Sequence, residues 1–293
     1  MISVSHLSYR YPGSPEQTLS DLSFAVPPGR IYGFLGPSGA GKSTTQKILY
    51  GVLKGYSGGV KILDRDLEHW SRRVYEVLGV ALEFPRFYER LSARDNLTYY
   101  RLFYSASADR GPELMEYLGL KKDMDRPVEE FSKGMKMRLN LVRALQHDPQ
   151  VLFLDEPTSG LDPIHASAVK DLLRREAEGG KTVFLTTHNM GLAQDVCHEV
   201  GFLVDGRIAA SAAPDELRRR HKTGLVRVEI TARHGENTDL LSREFPLENL
   251  AGNQEFLGFL AAGRVERIRS LEPNLEEIFL TTTGRSLHES SGE

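Results

Sequence analysis

The sequence predicts an α/β fold built on a mostly parallel sheet, and three stretches carry that expectation. Arg30-Ile31-Tyr32-Gly33-Phe34-Leu35 is a short apolar run, followed by a glycine-rich turn and then by Thr44-Thr45-Gln46-Lys47-Ile48-Leu49-Tyr50, whose apolar residues fall at helical spacing. Val151-Leu152-Phe153-Leu154 is apolar throughout and ends in Asp155 and Glu156. A strand apolar on both faces is a central parallel strand, covered by helices on either side. Lys181-Thr182-Val183-Phe184-Leu185-Thr186-Thr187 repeats the form and ends at His188. Acids at the carboxyl end of such strands fall in the crevice where open α/β sheets bind ligands.

The remaining elements follow in order. Residues 2–11 alternate apolar and polar up to the turn cluster Pro12-Gly13-Ser14-Pro15, and Leu22, Phe24 and Val26 continue the alternation to Pro27-Pro28-Gly29. Gly58-Gly59 turns the chain into a strand at 60–63, and residues 67–78 read as a helix. Gly79-Val80-Ala81-Leu82-Glu83 is an apolar run ending in a carboxylate, with the aromatic cluster Phe84-Pro85-Arg86-Phe87-Tyr88 behind it. From Ser92 to Leu145 the pattern is helical, broken at Gly111-Pro112 and around Arg126-Pro127, which reads as a helical insert at about 84–146. Residues 201–208 read as a hairpin turning at Asp205-Gly206. Arg218-Arg219-Arg220-His221-Lys222 closes a helix, where cations suit the helix dipole; a lipid or partner contact is the other reading. The expected division is a first domain over 1–220 and a small α+β module over 221–280. The Ser/Gly-rich residues 281–293 are expected to be disordered.

The turn between the first strand and helix is Gly36-Pro37-Ser38-Gly39-Ala40-Gly41-Lys42-Ser43, the phosphate-binding pattern G-x-x-x-x-G-K-S. Its glycines let backbone N–H groups converge on an anion, and the helix start adds about half a positive charge. Lys42 can reach the β- and γ-phosphates and the Ser43 hydroxyl can bind Mg²⁺. A glycine turn that only joins strand to helix is the alternative, but a chance match to the whole pattern is roughly a one-in-a-hundred accident over a chain of this size.

Composition narrows the classes. A formal net charge of −3 gives no reason to expect non-specific nucleic-acid binding. A single cysteine, Cys197, excludes an internal disulfide and reads as a small apolar helix residue. Residues 1–6 lack the basic and apolar regions of a signal peptide, and no apolar run approaches the length of a membrane span.

Further motifs decide the class. The apolar strand ending Asp155-Glu156 matches the Walker B pattern. Phe131-Ser132-Lys133-Gly134-Met135-Lys136-Met137-Arg138 resembles the signature sequence of ATP-binding cassette (ABC) ATPases. Thr158-Ser159-Gly160-Leu161-Asp162 looks like their D-loop and His188 like their switch histidine. Glu83 stands at their Q-loop position and Tyr11, which alone would more often be ordinary packing, at their aromatic A-loop position. The resemblance covers roughly residues 1–220 in the family's order. It implies a P-loop NTPase (RecA-like) core with an antiparallel β subdomain and a helical subdomain. It also implies an ATPase in which two copies sandwich two ATP molecules head to tail.

In that frame Tyr11 stacks on adenine and Gly36, Pro37, Ser38, Gly39, Ala40, Gly41, Lys42, Ser43 and Thr44 hold the triphosphate. Ser43, Glu83 and Asp155 serve Mg²⁺. Ser132, Gly134 and Asp162 face the nucleotide of the other copy, Ser132 also being a plausible helix N-cap. Glu156 deprotonates the attacking water and His188 contacts the γ-phosphate, a division of labour sufficient for phosphoryl transfer. The sequence departs from the family pattern in two places: Glu83 stands where Gln is usual, and the signature has Lys133 and Met135 where Gly and Gln are usual.

The resemblance further implies a separate membrane permease, received near Phe84–Tyr88, and a place at the cytoplasmic face of the membrane. Ile268–Leu280 is similar to the tail of ATPase subunits from bacterial drug and antibiotic exporters, which suggests export. The alternative is a soluble ABC-type ATPase acting on nucleic acid or ribosomes. Against it stand one cassette rather than two, no long coiled coil and no basic excess. A P-loop kinase or GTPase would give no reason for the signature motif or His188.

Overall fold

A computed structural model describes residues 1–105, 109–222, 224–234 and 237–286. The chain opens with β1 (Ile2–Tyr9), β2 (Leu19–Val26), β3 (Ile31–Leu35) and helix α1 (Lys42–Leu49). Strands β4 (Ser57–Ile62), β5 (Arg65–Asp66) and β6 (Leu78–Ala81) follow, then helices α2 (Ala93–Arg101), α3 (Gly111–Tyr117) and α4 (Lys133–Leu145). Strand and helix then alternate through β7 (Val151–Asp155), α5 (Pro163–Glu178), β8 (Thr182–Thr187) and α6 (Met190–Val196). The hairpin β9 (Glu199–Val204) and β10 (Arg207–Ala212) leads to α7 (Pro214–Arg220). Last come β11 (Leu225–His234), β12 (Asn237–Pro246), α8 (Gln254–Ala261), β13 (Arg264–Ser270) and α9 (Leu275–Thr283).

Contacts divide the chain into two compact units, Met1–Pro214 with the residues from Thr282 onward, and Asp215–Thr281. In the first unit a six-stranded sheet runs β10-β9-β3-β8-β7-β6, parallel except for β10 at one edge. Strand β7 lies inside the sheet, between β8 and the edge strand β6, and is buried along Val151–Leu154, as its apolar composition on both faces requires. A second, antiparallel sheet runs β2-β1-β4-β5. The two sheets meet through aromatic rings: Phe24 of β2 lies 5.3 Å from Tyr32, 5.0 Å from Phe34 and 5.6 Å from Phe184, centroid to centroid. Each fully buried ring contributes on the order of 1.5–3 kcal/mol by leaving water. That shared core holds the loop between β3 and α1 against a rigid base.

Two sequence expectations need correction. Residues 67–78 do not form one helix; they make two 3₁₀ turns, Leu67–His69 and Arg72–Glu76, separated by extended Trp70 and Ser71. The Ser71 hydroxyl accepts the Arg73 amide, the local bond by which serine competes with a continuing helix. Gly111-Pro112 is the start of α3 rather than a break, with Pro112 in the first turn where a missing N–H costs nothing. In the hairpin, Val204 pairs with Arg207, so Asp205 and Gly206 are the two loop residues; both have positive φ, 48° and 69°, as the expected Asp-Gly turn demands.

The second unit has a three-stranded antiparallel sheet, β12-β11-β13, with Val226, Val228, Ile230, Phe245 and Phe256 of α8 forming its core. Residues 281–283, expected to be disordered, form the last turn of α9; residues 287–293 lie outside the described residues. Among the described residues no helix is long and apolar enough to cross a membrane.

Candidate functional site

The site lies at the carboxyl end of the parallel strands. The loop after β3 is fitted to its surroundings by glycines. A Cβ on Gly36 would fall 2.2 Å from the Leu203 carbonyl oxygen, and Gly41, at φ 105°, would drive one to 2.6 Å from Leu19 Cδ2. Neither place accepts another residue without moving the backbone. Among the described residues no side chain caps α1, so its first amides remain directed at the loop. Lys42 Nζ donates to the carbonyls of Gly36 at 2.7 Å and Pro37 at 2.9 Å. Burial lowers the pKa of its ammonium, while Glu156, Asp155 and Glu83 act to raise it. All three carboxylates therefore bear on the same cation.

The acids come from the ends of adjacent strands. Asp155 pairs in register with Thr186 of β8, and the Thr186 hydroxyl donates to Asp155 Oδ1. Glu156 is buried and sits at φ 48°, where the chain turns sharply out of β7. A residue with a Cβ is uncommon there and needs support. Support comes from three bonds. Thr187 Oγ1 donates to Glu156 Oε2 at 2.8 Å, and the backbone N–H and ring Nδ1–H of His188 donate to Oε1, each at 2.7 Å. The rest of the His188 side chain is largely exposed. Tyr11 comes to the same region: its hydroxyl lies 3.2 Å from Thr44 Oγ1, and its ring meets Tyr9 edge-on at 5.0 Å.

Ser132, Gly134 and Asp162 occupy two helix starts beside this end. The Ser132 hydroxyl accepts the Met135 amide at 3.2 Å as the N-cap of α4. Gly134 packs on the loop after Glu156, where an added Cβ would lie 2.9 Å from the Gly160 carbonyl oxygen. Asp162 caps α5, accepting the amides of Ile164 and His165 at 3.0 Å. The His165 ring, 2.5 Å from Oδ2, and these amides hold its pKa down at about 2. Tyr11, the loop 36–43, Glu83, Asp155, Glu156 and His188 are thus gathered, while Ser132, Gly134 and Asp162 stand at the flank, with contacts to the loop 156–162 or to their own helices.

Sequence reasoning missed three supporting residues. Thr186 and Thr187 orient the two acids, and the signal was available in the parallel alignment of two apolar runs ending Asp155-Glu156 and Thr186-Thr187. Gln46 of α1 is buried and donates to the Leu154 carbonyl at 2.8 Å and to Thr186 Oγ1 at 3.1 Å, tying the phosphate-loop helix to both strands. Its polar side chain on the buried face of a helix was the available clue. Of the aromatic cluster, Phe84 and Tyr88 are exposed, whereas Phe87 packs on Tyr100 and under the Arg143 guanidinium.

Comparison with known proteins agrees with this geometry. Residues 19–159 match the ABC transporter domain family, and residues 225–272 match the fluoroquinolone efflux ABC transporter C-terminal domain. A fluoroquinolones export ATP-binding protein of Mycobacterium tuberculosis (strain CDC 1551 / Oshkosh) is 41% identical over 287 residues, covering 98% of this chain and 94% of the relative. The Nod factor export ATP-binding protein I of Paraburkholderia xenovorans (strain LB400) is 34% identical, covering 94% and 95%. A solved structure of an ATP binding subunit of an ABC transporter superposes with a TM-score of 0.69 at 28% identity, covering 75% of this chain and 92% of that one. The chain therefore belongs to the ABC transporter family, as one of its ATP-binding, ATP-hydrolysing subunits.

Proposed function

We propose that two copies of this chain close head to tail over two ATP molecules, and that this closing and opening drives export through a separate membrane-spanning permease. The observation that carries the reading is Glu156: a buried carboxylate held at a left-handed turn by Thr187 and His188, beside Asp155 and Lys42. Its oxygens are fixed before substrate arrives, which is what positioning a water for in-line attack requires.

The other roles follow from place. The backbone N–H groups that follow Pro37 in the loop and the α1 N-terminus take the triphosphate. Lys42 exchanges its two carbonyl partners, Gly36 and Pro37, for β- and γ-phosphate oxygens. Tyr11, beside Thr44, stacks on adenine. Ser43, whose exposed hydroxyl makes no side-chain hydrogen bond among the described residues, and Asp155, whose Oδ2 is not taken by Thr186, are hard oxygen donors that suit Mg²⁺; Glu83 is a third. A Mg²⁺ ion held by these oxygens would supply charge neutralisation to the bound triphosphate. His188 releases Glu156 to contact the γ-phosphate. Ser132, Gly134 and the α4 N-terminus, with Asp162, face the nucleotide of the other copy.

The permease docks where exposed aromatics cluster. Phe84, Tyr88, Tyr99 and Phe103 are exposed, with Tyr88 and Tyr99 edge-on at 5.0 Å and Tyr99 and Phe103 at 5.3 Å. Such surface aromatics favour interfaces. This docking would keep the chain peripheral at the cytoplasmic face of the membrane. The full-length likeness to a fluoroquinolones export protein and the separate match over 225–272 support a drug-like cargo of that class. Glu156→Gln is expected to lower steady ATP turnover by about 10²–10⁴-fold, the ordinary loss on removing a general base, with ATP binding retained. Turnover at the wild-type rate would remove Glu156 from this role.

A further inference from the structure

Gln46 is polar yet only 1% exposed, and it joins the two elements that carry the oxygens suited to Mg²⁺. It lies in α1 one helical turn after Ser43, on the same side of that helix. Its amide reaches the ends of β7 and β8. The Leu154 carbonyl, 2.8 Å away, can only accept, so the atom facing it is Nε2 and not the amide oxygen. The second N–H of the same nitrogen goes to Thr186 Oγ1 at 3.1 Å. Thr186 is fully buried, and its hydroxyl has a single hydrogen to give. With a donor already directed at its oxygen, that hydrogen goes to Asp155 Oδ1. The bonds therefore run one way, from Gln46 through Thr186 to Asp155. They occupy Asp155 Oδ1 and leave Oδ2 outside the chain.

We propose that Gln46 is a positioning residue for Mg²⁺: by fixing the direction of the Thr186 hydroxyl it holds the Asp155 carboxylate in one orientation, and it ties that carboxylate to the helix that carries Ser43. The demand comes from the ion. Mg²⁺ is small and takes oxygen ligands in near-octahedral geometry at about 2.0–2.1 Å, so it tolerates little movement of one ligand against another. Two freedoms would loosen the site, rotation of the Asp155 side chain and sliding of α1 against β7. The bonds of Gln46 to Thr186 Oγ1 and to the Leu154 carbonyl oppose one each. An apolar residue at position 46 would fill the same buried space without the cost of desolvating an amide; what it lacks is the pair of donors. Gln46 itself touches neither nucleotide nor metal in this scheme. The inference deepens the reading given under Proposed function and rests on it, because it takes Ser43 and Asp155 as the Mg²⁺ oxygens.

The test is the gain in affinity that Mg²⁺ gives to the non-hydrolysable β,γ-imido analogue of ATP. Titration calorimetry on the full chain, in EDTA and then in Mg²⁺, measures that gain for wild type, Gln46→Met, Thr186→Val, the double variant and Asp155→Asn. Methionine keeps the length of the side chain and removes both donors. Gln46→Leu is a second form of the same change, and melting temperatures confirm that each variant is folded. Gln46→Met is expected to lower the Mg²⁺ gain about fivefold, the size of one net hydrogen bond, with metal-free affinity within about twofold of wild type. Thr186→Val should lower the gain by a similar factor, and the double variant by no more than either alone, since both changes break one chain of bonds. Equal losses with and without Mg²⁺ overturn the proposal and make Gln46 a prop for the phosphate loop. A wild-type gain in both Gln46 variants overturns it as well, and so does a double variant whose losses multiply. Failure of the underlying site reading looks different, because Asp155→Asn would then keep the wild-type Mg²⁺ gain.

Discussion

The two ends of the six-stranded sheet both carry clusters of charge, and they treat it in opposite ways. At the amino end, Arg110 makes two bonds to the buried Glu176, at 2.7 and 2.9 Å, and a third to Asp148 at 3.1 Å. Lys181 closes the group, 2.5 Å from Asp148 and 3.6 Å from Glu176. Each acid there has two cations within reach. At the carboxyl end, Glu83, Asp155 and Glu156 all act on the one ammonium of Lys42, and the bonds that Asp155 and Glu156 accept come from Thr186, Thr187 and His188. One end is saturated and serves stability. The other is left short of positive charge and held in an uncommon backbone conformation at Glu156, which suits a site completed by a cation and a polyphosphate.

Changes at the two ends should therefore separate. The largest expected effect is at the carboxyl end. Lys42→Ala should lose about 10- to 100-fold in ATP affinity, the equivalent of one or two charge-assisted hydrogen bonds, while the melting temperature barely moves; nucleotide titration and thermal denaturation check both parts. Next comes Glu176→Ala at the amino end, which leaves Arg110 with Asp148 and partial exposure to water. It should cost about 1–2 kcal/mol in denaturant unfolding. Under conditions where the variant is folded, its turnover per molecule should match wild type.

The smallest effect is a pH dependence from His147. This ring is buried, stacks on Tyr104 at 3.7 Å and donates from Nε2 to the Leu78 carbonyl at 3.0 Å, while Nδ1 has no partner among the described residues. Burial lowers its pKa below the ordinary 6.5. The sign follows directly. Below pH 6.5 the unfolded chain binds a proton that the folded chain does not, so stability present above 6.5 is lost as pH falls toward the lower folded value. His147→Gln should flatten the fall in melting temperature between pH 7 and 5 that wild type shows. An unchanged slope would assign that fall to other groups.

Much of this was legible in the sequence, because the deciding features are local. The phosphate loop, the apolar run ending in acids and the Asp-Gly hairpin each depend on residues adjacent in the chain, and all three appear where the pattern puts them. The helix expected over 67–78 was not there, because one serine hydroxyl at Ser71 satisfied an amide locally and periodicity does not register that competition. Contacts between distant segments were also hidden. The locking of Glu156 by Thr187 and the bridge from Gln46 to two strands both depend on register and packing that no single stretch encodes. The composition of residues 281–283 suggested disorder, yet they finish α9, since a helix already started by Leu275, Ile278 and Phe279 on its buried face extends through polar residues at little cost.

The central claim is that ATP closes two copies of this chain on each other. The direct test is the mass of Glu156→Gln in solution with and without Mg·ATP, by analytical ultracentrifugation, with the permease co-expressed in a parallel sample. The account predicts a monomer that becomes a dimer on adding Mg·ATP and reverts with ADP, and a complex carrying two copies of this chain when the permease is present. A protein that binds ATP yet stays monomeric in both samples would contradict it.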